Sequence, residues 1–155
     1  MKDLILVIVL TWVTPSLAWS DYQKGIDAFD EGNALTALKE VQALADENDA
    51  RGQYGLGIMY DLGEGVVQNS EKAAKWYQLS AEQGYADAQN NLGVMYEKVS
   101  KLDYAEASYR QAISLKPNYA EAYNNLGNTL QELDRSDEAE ASYKQAISLK
   151  PNYTQ

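Results

Sequence analysis

Two asparagine pairs, Asn90-Asn91 and Asn124-Asn125, stand 34 residues apart, and each is followed by Leu-Gly. A carboxamide carries a donor and an acceptor side by side, so Asn91 and Asn125 can each pair bidentately with a peptide backbone whatever its sequence. Little other chemistry is open to this chain. It has no histidine, which removes Ser-His-Asp and Cys-His nucleophiles and imidazole metal ligands. It has no cysteine, which removes thiolate zinc sites and disulfides. Carboxylate-only catalysis would need two Asp or Glu side chains facing one cleft, and no spacing here sets such a pair. Asp46-Glu47-Asn48-Asp49 resembles the start of a calcium loop, but Ala50 and the displaced Gly52 break the spacing, leaving an acidic helix end. Gly63-Glu64-Gly65 lacks a third glycine and follows a helical pattern, so it punctuates a loop rather than cradling a dinucleotide. The expectation is binding without catalysis, cofactor or metal.

The elements that must position those amides begin after residue 18. Met1-Lys2-Asp3, the apolar run Leu4–Val13 and the small residues Ser16 and Ala18 read as a signal peptide (1–18) cleaved after Ala18. An uncleaved anchor is the rival, but ten residues of helix span only about 15 Å, half a hydrocarbon core. Export to a periplasm or secretion follows, with no membrane association after cleavage. In residues 19–155, Leu, Ile, Val and Phe total only 23, and the net charge is −10. That pairing ordinarily signals disorder. The same acidity repels phosphate backbones, so nucleic acid is excluded as a partner.

Internal repetition overturns the disorder reading. Residues 106–119 (EASYRQAISLKPNY) and 140–153 (EASYKQAISLKPNY) agree at thirteen of fourteen positions. Ala50–Gly57, Ala86–Gly93 and Ala120–Gly127 repeat a second motif, and Gly25, Gly57, Gly93 and Gly127 lie 32, 36 and 34 residues apart. Each unit predicts two short helices. In the last, Ala122, Tyr123, Leu126, Gly127 and Leu130 recur at helical spacing, residues 133–136 interrupt, and Ala139, Tyr143, Ala146, Ile147 and Leu149 form a second stripe before Pro151. Ser136 is the expected N-cap of that second helix. A glycine lets the two helices approach, and an aromatic such as Tyr143 fills the space beside it. The chain divides into 19–49, an acidic capping unit; 50–85; 86–119; and 120–155.

Tyr123-x2-Leu126-Gly127-x2-Leu130, Ala139-x3-Tyr143 and Pro151 resemble the tetratricopeptide repeat (TPR), with Tyr123 where Trp is commonest and Asp134 where a turn glycine often stands. Residues 50–85, through Gly57, Tyr60, the loop 63–68, Lys72-Ala73, Trp76-Tyr77 and Ala81–Gly84, resemble the longer-looped Sel1-like repeat. Residues 86–119 begin as the second and end as the first. The resemblance implies an all-α fold, an α-solenoid of about four antiparallel helix pairs in a right-handed superhelix, whose first (A) helices form a concave wall that holds peptides. Asn91 and Asn125 match the asparagine ladder of O-linked N-acetylglucosamine transferases, with Gly55 interrupting it. Arg51, Tyr54, Ile58, Asp61, Asp87, Asn90, Val94, Glu97, Glu121, Asn124, Asn128 and Gln131 would line the same wall. The alternative is that these polar residues are solvated or bond helix to helix. With Arg51 the lone cation among them, the implied partner is a neutral or basic protein segment. Three other readings stay open: an interaction module cut from a larger enzyme or regulator, a carboxylate enzyme, and a protein that self-associates through its uncovered last helix.

Overall fold

A computed structural model describes residues 15–150, with side chains from residue 20 onward. Among these residues there are eight α-helices and no strand: α1 (Pro15–Asp30), α2 (Ala34–Asp46), α3 (Ala50–Leu62), α4 (Ser70–Glu82), α5 (Ala86–Lys98), α6 (Leu102–Leu115), α7 (Ala120–Glu132) and α8 (Ser136–Leu149). Each helix packs on its neighbours in sequence, and α5 also touches α7. The chain is therefore an all-α solenoid of helix pairs, in which stability passes from one pair to the next.

Helix starts and stops follow local chemistry. Asn33, Asp49 and Asn69 cap α2, α3 and α4, their side-chain oxygens accepting from the backbone N–H of Thr36, Arg51 and Lys72 at 3.2, 2.8 and 2.9 Å. The turns between paired helices place one residue at positive φ, Gly32 (73°), Ser100 (55°) or Asp134 (60°), and the longer α3–α4 turn places two, Gly63 (78°) and Gly65 (70°). Asp134 thus takes the left-handed conformation that a glycine would hold without strain. Asn48 (φ 61°) closes α2 immediately before the capping Asp49, so residues 46–49 form a helix-to-helix turn. One expectation needs correction. Ser136 is the first residue of α8 rather than its cap; Arg135 holds the cap position, makes no side-chain cap bond, and sends its guanidinium to Glu106 (2.6 Å) and Glu138 (2.7 Å).

Packing explains how so few aliphatics suffice. A Cβ on Gly57, Gly93 or Gly127 would come within 2.4, 2.5 and 2.5 Å of the rings of Tyr77, Tyr109 and Tyr143. Each glycine admits a tyrosine from its partner helix, and Tyr77 and Tyr109 are among the largest fully buried side chains of the array. Alanines at 73, 88, 105, 112, 122 and 139 complete the seams. The first pair differs: Gly25 faces Val41 at an ordinary 3.4 Å. The expected leader, residues 1–18, lies mostly outside the described residues, and α1 begins at Pro15, a residue suited to the first helical position. No helix among the described residues is long and apolar enough to cross a membrane.

Candidate peptide-binding wall

Helices α1, α3, α5 and α7 are the A helices, and their N-terminal halves carry a tyrosine-rich surface. Tyr54 of α3 lies 5.0 Å, ring centre to ring centre, from Tyr85 and 5.8 Å from Tyr77. The hydroxyls of Tyr22 and Tyr85, 63 residues apart, meet at 3.4 Å. Arg51 stands over the Tyr22 ring at 5.3 Å while its guanidinium grips Asp49 through two bonds of 3.0 and 2.6 Å. Further along, Lys116 sits 3.3 Å from Asp87 and 4.2 Å above the Tyr119 ring.

Tyr54, Tyr85 and Tyr119 are held neutral. Burial and the nearby Asp87 carboxylate push Tyr54 up to about 12. Burial also raises Tyr85, helped by its bond to Tyr22, and raises Tyr119, helped by the neighbouring Asp87 carboxylate. Asp87 acts on all three rings and Glu121 on two of them, Tyr54 and Tyr119, which makes the pair the electrostatic centre of this surface.

Tyr85 and Tyr119 were not among the expected wall residues. Both occupy the N-cap of an A helix, α5 and α7, where no side chain caps the backbone. A capping Asn or Asp there would contribute about 1 kcal/mol. The repeat instead places an aromatic at that register, and the recurrence of Tyr at 85, 119 and 153 was the signal available in the sequence.

The remaining expected residues divide. The Asn91 carboxamide lies beside the phenols of Tyr54 and Tyr77, where it opposes the upward push that burial gives them. Asn125 donates to Asn90 Oδ1 at 3.1 Å. Asn90 is a correction: at 1% exposure it lies within the α5–α7 seam, not on the wall, and its Nδ2 has no partner among the described residues. Glu97 accepts from Tyr109 (2.9 Å) and from Thr129 Oγ1 (2.5 Å), tying α5 to α6 and α7. Asn128 and Gln131 both accept from the Tyr143 hydroxyl, at 2.9 and 3.1 Å. Asp61 meets Lys98 at 3.8 Å. So the C-terminal halves of the A helices brace the tyrosines of their partner helices, with the half-buried Val94 packed beside Tyr109, and the N-terminal halves, with Asn124 and the exposed Glu121, are left for other work. The lone-cation expectation also changes, because Lys116 and Lys98 reach the wall beside Arg51.

Gly55 interrupts the asparagine ladder for a steric reason. A Cβ there would stand 2.7 Å from Val41 Cγ1 of α2, so no asparagine fits without moving α2. Beside it, α1 to α3 enclose an apolar cavity of about 100 Å³ lined by Tyr22, Ile26, Phe29, Tyr54, Ile58 and Met59.

Comparison with known proteins agrees with this architecture. The Sel1 repeat family matches residues 50–85, and the tetratricopeptide repeat family matches 100–134 and 120–153. These segments carry a Sel1 repeat and tetratricopeptide repeats, respectively. A sel1-like repeat-containing protein of Acanthamoeba polyphaga mimivirus is 36% identical to this repeat array over 86 residues, which are 53% of the chain but only 15% of that relative. Among solved structures, a Sel1 repeat protein from Oxalobacter formigenes is 30% identical with a TM-score of 0.72, covering 84% of this array and 56% of that protein. A protective antigen of uropathogenic Escherichia coli strains, displaying the same repeat fold, is 32% identical with a TM-score of 0.73, covering 84% and 30%. This repeat array thus spans only part of the length of these relatives. Sel1 and tetratricopeptide arrays are typically scaffolds for protein–protein interaction.

Proposed function

We propose that this chain is an exported scaffold that holds a segment of a partner protein along its A-helix wall and carries out no catalysis of its own. The observation that carries the reading is the row formed by Tyr22, Tyr54, Tyr85 and Tyr119, drawn from two helices and the ends of two linkers onto one surface. Tyrosine suits such a surface, since it offers a large rigid ring at low entropic cost together with a polar tip. Asn125, whose Nδ2 is engaged by Asn90, keeps its carbonyl oxygen for an N–H of a bound backbone.

The test is site-specific photocrosslinking. A photoreactive residue at Val94, on the wall, captures a partner from the exported fraction, and the same residue at Leu79, on the outer side of α4, does not. Equal capture from both positions sinks the reading. Export itself is checked by N-terminal sequencing of the mature protein, with Trp19 expected as the first residue; an intact Met1 in the exported fraction contradicts it.

A further inference from the structure

We infer that the tyrosine end of the wall selects a linear peptide that seats one apolar side chain in the cavity between α1 and α3 and one lysine or arginine side chain against Asp87 and Glu121. This deepens the scaffold reading above and rests on it.

The cavity sets the first half. Its volume of about 100 Å³ and its lining of Tyr22, Ile26, Phe29, Tyr54 and Ile58 suit a single aliphatic side chain. For comparison, an apolar cavity of about 150 Å³ is enough to hold benzene. A polar or charged side chain would lose its hydration there without finding a partner.

Charge sets the second half. Tyr54 lines the cavity and also packs against Tyr85, so the cavity and the charged surface share a wall. Asp87 and Glu121 occupy the same register of successive repeats, in the first turns of α5 and α7. The nearby Arg51 is already committed to Asp49. Lys116 shows what the surface accepts: its ammonium rests on the Asp87 carboxylate and over the Tyr119 ring, combining an ion pair with a cation–π contact. Its side chain is 45% exposed and sits just past the end of α6, so an incoming cation displaces it at little cost. Glu121 is exposed and forms no ion pair among the described residues, which leaves a second carboxylate for the incoming charge. An acidic side chain in the same place would face both carboxylates. The ring of Tyr54 at the cavity lies 5.0 Å from that of Tyr85, two residues before Asp87, and an extended chain advances about 3.4 Å per residue, so the apolar and basic residues stand roughly two to four positions apart.

The experiment is fluorescence anisotropy with the full chain and labelled Gly/Ser peptides containing one Leu and one Lys at that separation. Control peptides replace Lys by Glu or Leu by Ser. The Leu/Lys peptide is expected to bind about ten-fold more tightly than either control, and increasingly so at low salt. Asp87→Asn with Glu121→Gln should erase the preference for Lys over Glu while keeping the preference for Leu over Ser. Ile58→Trp, which fills the cavity, should do the reverse, and circular dichroism verifies that both variants stay helical. Equal affinities for the Lys and Glu peptides, or no binding by any peptide, overturn the inference. If crosslinking at Val94 still captures a partner in that case, the scaffold reading stands and only this specificity fails; if it captures none, both fail.

Discussion

Replacing Gly93 by alanine tests whether this array is held by glycine-to-tyrosine contact. The added Cβ would lie 2.5 Å from Tyr109 Cε1 and 2.7 Å from both Cδ1 and Cζ. Ordinary carbon contact begins near 3.5 Å, so the ring must retreat by about 1 Å. It has nowhere to go, because Tyr109 is 0% exposed and its hydroxyl is anchored on Glu97 at 2.9 Å. Overpacking of a closed core costs about 1–3 kcal/mol. Loosening a hydrogen bond to a charged acceptor adds about 1 kcal/mol or more. The better helix propensity of alanine returns about 1 kcal/mol. The net expectation is a loss of about 2 kcal/mol, read as a fall of roughly 1 M in the urea midpoint followed by far-ultraviolet circular dichroism. Gly127→Ala is the internal control. Its Cβ meets Tyr143 at the same 2.5 Å, but that ring is only half-buried and can swing outward, so the loss should stay below about 1 kcal/mol. If Gly93→Ala proves as stable as the parent, or more so, helix propensity outweighs packing here and the account of the core is wrong.

Three further outcomes follow from the same contacts. Glu97→Ala releases both Tyr109 and Thr129 and should cost about 2 kcal/mol; combined with Tyr109→Phe it should cost less than the sum, and strict additivity in a double-mutant cycle would refute the shared anchor. At alkaline pH the array should weaken. The neutral form of Tyr54 is favoured in the fold, where its pKa is pushed from 10.0 up to about 12. Its contribution is therefore complete below pH 10 and lost as pH rises toward 12, and Tyr77, Tyr85, Tyr109 and Tyr119 shift in the same direction; an unfolding curve flat across that range contradicts the burial. At the other end, the bonds from Arg51 hold the Asp49 carboxyl below its ordinary 3.8, so its stabilisation is present above that pH and lost as pH falls below it. Asp49→Ala, which removes a cap as well, should cost about 1–2 kcal/mol at neutral pH by thermal melting and much less in acid.

What could be read without coordinates was whatever depends on neighbours a few residues away or on the exact repeat. Gly127 beside Tyr143 was legible because a glycine and a tyrosine recur at matching places in the last three units. The positive φ of Asp134 was legible because it stands where the repeat turns. Asn90 was misjudged because Asn90-Asn91 looks identical to Asn124-Asn125 along the chain, yet Asn90 is buried and Asn124 half-exposed. Small differences in how successive pairs pack decide that, and Tyr54 at the same register as Asn90 shows how little the repeat constrains it.

The sequence by itself determined the eight helices, their pairing and the glycine–tyrosine seams, because helical period, turn chemistry and side-chain volume are local or repeated quantities. The tertiary structure alone decided which side chains share a surface. Tyr22 meets Tyr85, and Lys116 reaches Asp87, only because each pair is rotated and displaced by a set amount on the one before. That rotation sums contributions from every seam, including the close approach of Val41 to Gly55 that breaks the asparagine ladder, and no single motif carries it. The amides that first drew notice turn out to be half engaged within the wall, and the rings and carboxylates around them form the surface left open to a partner.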